Sequence, residues 1–512
     1  MAQHPSRRDA LRVLATAAGG AGLALGGLSA CGGDEGTAAS ETPTGGGSGD
    51  AAGQGGGGTA ADATITGGTD AAGPVRPHVA IIGGGLAGVS AAWLLDGAAD
   101  VVLYEAGESV GGNVHTTQVE VRGTPVTVDV GAQYFNGELH AAYVALLGLL
   151  GVDFADPEVA PEHGMTMTIF APGEENPRFV SPLPPQRLWP LNEAWNGEAV
   201  GVFNRLAAAA RRAETEDLDY GVPLARFFAD AAFTPAEVER LLRPWAVATT
   251  TGRLADVEAL SARSILAFLS RALRADGLPV AWYRTLRRGL GDALALMLQR
   301  TTTVTVRERT RATSLGRTDA GVEIGVGAQR AAYDAVVLAV HGGAAATLLE
   351  GLPDGASLAG AARAVPFFKA RLGIHHDRRH LPTSPRNWSS INMAVTDLHC
   401  ESCMHLDPML AAHPDGAPLD LFKSWITFRD APTADLLTEV EFEHMAPTVD
   451  AMRAQDALAA LAGTVPGVHV IGAWTQHLEL QETALRTAVA AARAIAPEAP
   501  NLRALAGVVP GI

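Results

Sequence analysis

Apolar and polar positions are most sharply patterned at 79–112, VAIIGGGLAGVSAAWLLDGAADVVLYEAGESVGG. An apolar run at 79–82 enters a glycine turn, and an apolar helical stretch follows at 89–95. A second apolar run at 101–104 ends on Glu105. That order predicts a βαβ unit. Further strands are expected at 126–135 running into a glycine turn, and at 302–306, 322–325, 335–339, 369–375 and 468–472. The almost wholly apolar 335–339 reads as a central strand. Helices are expected at 143–150, after the glycine turn at 289–291, and at 483–496. The stretch 201–275 reads as largely helical, broken at Pro223, Pro235 and Pro244. Between them, 165–195 is strand-like and rich in proline.

The turn in the first unit carries Gly83, Gly85 and Gly88 at G-x-G-x-x-G spacing. Gly83 permits the tight turn, Gly85 lets the backbone approach a pyrophosphate, and Gly88 lets the helix pack on the strand. The helix N-terminus then offers free N–H groups to phosphate. Glu105 ends the second strand, where an acid accepts hydrogen bonds from a ribose. Strand, glycines, helix, strand and acid arrive in order, which predicts a site for an ADP-containing dinucleotide.

At 512 residues the chain exceeds one compact core. Its net charge of −17 argues against a nucleic-acid partner. Lysine occurs only at 369 and 423. Three cysteines are too few for a disulfide scaffold. Cys400 and Cys403 form one C-x-x-C, for which a local disulfide and two unpaired thiols are both open; with no second pair, it builds no zinc site.

The first residues read as a targeting segment. SRRDALR at 6–12 resembles the twin-arginine export signal, and a short apolar stretch spans 13–28. Leu28-Ser29-Ala30-Cys31 resembles a bacterial lipobox, so Cys31 is the expected lipidation site and the membrane a partner through that anchor. Residues 32–75, chiefly Gly, Ala, Thr and Ser, hold too little apolar surface to fold. As a flexible tether they reach roughly 35 Å.

The stretch 105–116, EAGESVGGNVHT, decides the class. It resembles the E-A-x-x-x-x-G-G-R-x-x-T signature of the flavin amine oxidase superfamily, which includes amine oxidases, protoporphyrinogen oxidase and carotenoid desaturases. Residues 126–135 resemble the stretch beside the flavin, 288–298 the segment re-entering the FAD domain, and 303–306 the strand whose valine contacts adenine. Gly472 and Glu482-Thr483-Ala484 resemble the closing segment under the flavin. His375-His376-Asp377, Leu381-Pro382 and Gly472-Ala473-Trp474 resemble a bacterial amine-oxidase-like branch of predicted NAD/FAD-binding proteins.

The resemblance implies an α/β protein in which a Rossmann-like FAD-binding domain is intertwined with an α+β substrate domain. The implied order is signal 1–31, linker 32–75, FAD-binding parts 76–135, 285–345 and 467–497, substrate parts 136–284 and 346–466, and a tail at 498–512. The cofactor is FAD, held by Gly83, Gly85, Leu86, Ala87, Gly88, Glu105, Ala106, Gly111, Gly112, Asn113, Gly131, Ala132, Val306, Gly472, Glu482 and Ala484. Asn113 stands for the usual arginine, Ala473 for an acid and Thr483 for a glycine, all departures that bear on how FAD is held.

The implied activity is hydride removal from a C–N or C–C bond of a small organic substrate, with oxygen or another acceptor taking the electrons. A lipid or polyene desaturase and a degenerate binding protein are the alternatives. Lys369 is the candidate flavin-side lysine, and Trp474 a candidate aromatic wall. Gln476, His477 and Trp388 are weaker candidates. The spacing of His375, His376, Asp377 and His380 fits no simple ligand face, so no metal is expected.

Overall fold

The computed structural model describes residues 76–181, 194–250, 252–271, 281–429 and 431–512. The signal, Cys31 and the linker lie outside these, as does most of the proline-rich end of 165–195. No helix among the described residues is long and apolar enough to cross a membrane.

The opening unit folds as β1 (His78–Ile82), α1 (Leu86–Leu95) and β2 (Asp100–Tyr104). These strands sit in a five-stranded, wholly parallel sheet. Its order is Val468–Val470, Ala335–Leu338, β1, β2, Val304–Arg307. Alternate residues supply two cores. Val79, Ile81, Val101 and Leu103 pack with α1, the helices Ala141–Leu149 and Leu290–Gln299, and the closing helix Gln481–Ile495. Ala80, Ile82, Val336 and Leu338 pack under a three-stranded meander and three further helices. Burial on both faces is why these strands read as unbroken apolar runs. α1 is buried all round, as a helix without a polar face must be.

The second sheet has seven strands, ordered Leu436–Met445, Phe367–His375, Phe422–Trp425, Cys400–His405, Ile391–Val395, Met167–Phe170, Phe179–Val180. Only the pairing of Ile391–Val395 with Met167–Phe170 is parallel. One end packs on the helices of 194–270. The other packs on the hairpin Thr116–Val121/Thr124–Asp129, which leads from the first sheet. The edge strand Leu436–Met445 exposes Glu439, Glu441 and Glu443, charges that discourage pairing with another chain.

One expectation changes and one open alternative closes. Pro244 does not break its helix: 235–250 runs on through a π-turn at Val238–Leu242, where the Arg243 N–H reaches Val238. The widened turn absorbs the proline's missing donor. Cys400 and Cys403 lie three apart on one strand, so they face opposite sides of the sheet, both buried and unpaired. The local disulfide is ruled out by that parity.

A Cβ added at Gly88 would lie 1.9 Å from the Gly83 carbonyl oxygen. Gly88→Ala is therefore expected to cost about 1–3 kcal/mol in chemical denaturation. Gly343→Ala, at an exposed position of a helix with open space around it, should be neutral or slightly stabilising. Equal stability of the two variants would refute the tight seating of α1.

Candidate functional site

Three glycine-bearing segments meet at the C-terminal end of β1. Gly83 turns the chain with φ +107°, and a Cβ there would fall 2.3 Å from the Ala339 oxygen. The Gly111 N–H donates to Gly84 O at 2.8 Å. Gly112, at φ +58°, brings its would-be Cβ to 3.2 Å from the Gly85 Cα. On the far side the Ala132 N–H donates to Asn113 O at 2.8 Å. A Cβ at Gly131 would sit 2.0 Å from that same oxygen. The structure thus brings Gly83, Gly85, Gly111, Gly112, Asn113, Gly131 and Ala132 together, backbone against backbone.

Gly85 is the exception to this crowding. Nothing approaches its would-be Cβ closer than the Gly111 oxygen at 4.0 Å. It caps α1 with no side-chain hydrogen bond, so the N–H groups of Leu86, Ala87 and Gly88 start the helix without intrahelical acceptors. Open backbone beside a helix N-terminus is a phosphate cradle. Glu105 follows β2 and accepts from the N–H groups of Gly84 at 2.7 Å and Gly107 at 2.5 Å. Its carboxylate is held beside the glycine turn, with Ala106 exposed next to it and Val306 paired to Leu103 on the adjoining strand. These residues fit a dinucleotide: an acceptor for the ribose, donors for the diphosphate, and open backbone at Gly85.

The closing segment meets this site from below the sheet's end. Gly472 turns at φ +139° and donates its N–H to Thr487. Gln481 Nε2 donates to Tyr134 O at 2.9 Å, tying the closing helix to the Gly131 loop. Ala484 packs in the core under α1. Glu482 has another task. Its carboxylate accepts from the N–H groups of Ala142 and Tyr143 at 2.8 and 3.0 Å and pairs with Arg486. It caps the N-terminus of Ala141–Leu149 and complements that helix dipole.

The two catalytic candidates lie away from the glycine loops. On Phe367–His375, Ala370 and Leu372 point inward while Lys369 and Arg371 point to solvent. Lys369 Nζ lies 2.7 Å from Glu441 on that outer face, with 66% of its side chain exposed. Trp474 is a core residue: it is buried, donates Nε1–H to Val340 O at 3.0 Å and packs on Phe367. Of the weaker candidates, Trp388 is buried with its Nε1–H on Pro382 O. His477 pairs with Asp456, and Gln476 is exposed. His375 bonds Ser424, His376 bonds Asp420 O, and His380 lies tilted against His375 with ring centroids 4.4 Å apart. Among the described residues no cluster of three or more His, Cys, Asp or Glu is arranged to hold a metal.

The lysine that does reach the site is Lys423, on the inward face of Phe422–Trp425. Its Nζ donates to Asp129 O at 3.0 Å, Gly131 O at 2.6 Å and Gln133 Oε1 at 3.2 Å. It therefore fastens the second sheet to the loop around Gly131. Burial lowers Lys423 to about 7, against the pull of Asp129. Burial likewise raises Asp129 to about 6, opposed by hydrogen bonds from Thr116 and the Leu290 N–H and by Lys423. The available signal was a lone lysine inside the apolar run LFKSW.

A family model described as flavin containing amine oxidoreductase matches residues 86–373. No curated protein sequence matches the chain. Among solved structures, cyclohexylamine oxidase from Brevibacterium oxydans is 19% identical with a TM-score of 0.57, over 83% of this chain and 99% of that one. Putrescine oxidase bound to putrescine is 13% identical with a TM-score of 0.57, over 83% and 100%. A CLA-producing fatty acid isomerase from P. acnes is 14% identical with a TM-score of 0.56, over 81% and 98%. At these identities the three share the fold.

Two outcomes are expected. Lys369→Met leaves the unfolding midpoint and the flavin spectrum unchanged. Lys423→Met strands buried carbonyl acceptors and costs about 1–3 kcal/mol. The parent's stability should also rise between about pH 7 and 9, because the unfolded chain keeps a proton that buried Lys423 releases; above that range the buried thiols of Cys400 and Cys403, raised by burial, act the other way. Denaturation across that range should show the rise in the parent and its absence in Lys423→Met.

Proposed function

Because the chain belongs to the flavin-containing amine oxidoreductase family, we propose that it oxidises amines. FAD is its cofactor, and when bound supplies the two-electron acceptor. The proposed reaction takes a hydride from the carbon of a C–N bond, with oxygen or another acceptor accepting the electrons later. The observation that carries the reading is the open backbone of Gly85 at the start of α1, with Glu105 beside it. The N-terminus of the closing helix, bound to the Tyr134 loop by Gln481, suits a site where negative charge develops. The rings of Trp425, Phe368 and Phe442 around His444, with the Glu479 carboxylate bound to it, support a cationic substrate over a neutral lipid.

The N-terminal residues support a second proposal: export by the twin-arginine route and anchoring through a lipid on Cys31. Cys31→Ser should move the protein from the membrane fraction to the soluble one.

The purified protein should show flavin absorbance, bleached anaerobically by amines and not by unsaturated lipids. A colourless protein that gains no flavin on incubation with FAD would sink the proposal. Gly85→Val should keep the parent's apo unfolding midpoint, since its side chain enters open space, yet retain no flavin.

A further inference from the structure

Directly paired residues on neighbouring strands share a face. Phe368 pairs with His444, Ala370 with Phe442, and Leu372 with both Val440 and Trp425. Ile374 pairs with Lys423. His444, Phe442, Trp425 and Lys423 therefore share the inward face, the one that carries the loop around Gly131. Phe442 Cζ comes within 3.2 Å of the position a Gly131 Cβ would take.

Two of these side chains can bind protons, and they differ. Lys423 is wholly buried, with its donors directed at three acceptors. His444 keeps 26% of its side chain exposed. Its Nδ1 lies 3.5 Å from Glu479 Oε2, and the same oxygen accepts the Met445 N–H at 3.3 Å. Two successive residues of the strand thus hold one carboxylate. Trp425 at 5.4 Å, Phe368 at 6.1 Å and Phe442 at 6.2 Å, centroid to centroid, fix the imidazole plane. A carboxylate on Nδ1 selects the Nδ1–H tautomer and leaves the Nε2 lone pair free.

We propose that His444, oriented by Glu479, accepts the proton that a substrate ammonium must lose before its carbon can be oxidised. The inference rests on the amine-oxidising reading above. The N–H bond breaks, its electron pair stays on the substrate nitrogen, and the proton goes to Nε2. The imidazolium so formed is stabilised by Glu479. No oxidant is consumed in this step. The other ionisable groups around His444 do not compete. Burial lowers His115, which lies against Phe442, and raises Tyr134. Glu443 faces the other side of the strand and binds His341. Lys423 and Asp129 are bound to the Gly131 loop and to Leu290 and Thr116.

The test uses the flavin-loaded full chain with 15N-labelled histidine. The His444 signal is identified by its loss in His444→Gln. The neutral ring should report Nδ1–H, and Glu479→Gln should shift the tautomer ratio toward Nε2–H. An Nε2–H tautomer in the parent, or a tautomer ratio unmoved by Glu479→Gln, overturns the assignment. Anaerobic flavin reduction by benzylamine, cyclohexylamine and putrescine is then followed against pH. His444→Gln should slow reduction on the order of a hundredfold at pH 7, with its flavin content intact, and converge on the parent where the amine is already neutral. A parent-like profile in His444→Gln defeats the proton-acceptor role alone. A parent flavin that no amine reduces defeats the amine-oxidising reading, and the proton-acceptor role with it.

Discussion

The site depends on main chain packed against main chain. A Cβ at Gly83, Gly111 or Gly131 would overlap a backbone atom, and one at Gly112 would crowd the Gly85 Cα, while Gly85 itself stays open. Such contact lets three turns from distant parts of the sequence present N–H groups to one small volume. It also leaves the loops without side chains of their own to hold them. They are fixed instead from outside: by α1 seated on Gly83, by Asp129 on the Leu290 N–H, and by Lys423 on two carbonyls of the Gly131 loop.

That external fixing carries an electrostatic cost. Lys423 and Asp129 are both buried, and burial disfavours the charged form of each. Apolar residues of similar size would avoid the cost but would leave the carbonyls of Asp129 and Gly131 without donors. A lysine on a strand of the second sheet answers both needs at once. It makes the position of one sheet a condition for the shape of the other's glycine loop.

The nucleotide half was legible because its signals are local. β1, α1 and β2 lie within 27 residues, each apolar run has the right period, and the glycines sit where the turn needs them. The substrate half was not, because its meaning lies in strand parity. Lys369 and Lys423 both sit in apolar runs, and only the pairing of Phe367–His375 with its neighbours shows that the first faces water and the second the site. The same parity separates Cys400 from Cys403. Glu482 and Trp474 fall in a motif that resembles a cofactor segment, yet the contacts of each are with a helix end and a core. Sequence alone carries no information on which of several nearby partners a buried polar group meets.

The strand order has a consequence for how the chain is made. β1 lies between β2 and Ala335–Leu338, and the sheet is completed only by Val468–Val470. Ala141–Leu149 receives its N-terminal cap from Glu482, more than 300 residues later. A chain emerging from the ribosome therefore holds its first βαβ unit with both flanks unpaired until Val304–Arg307 and Ala335–Leu338 have been made. Contacts this distant fold slowly and expose apolar edges meanwhile. The nucleotide site closes near the end of translation, so a folding partner that shields the early strands would act on this half of the molecule.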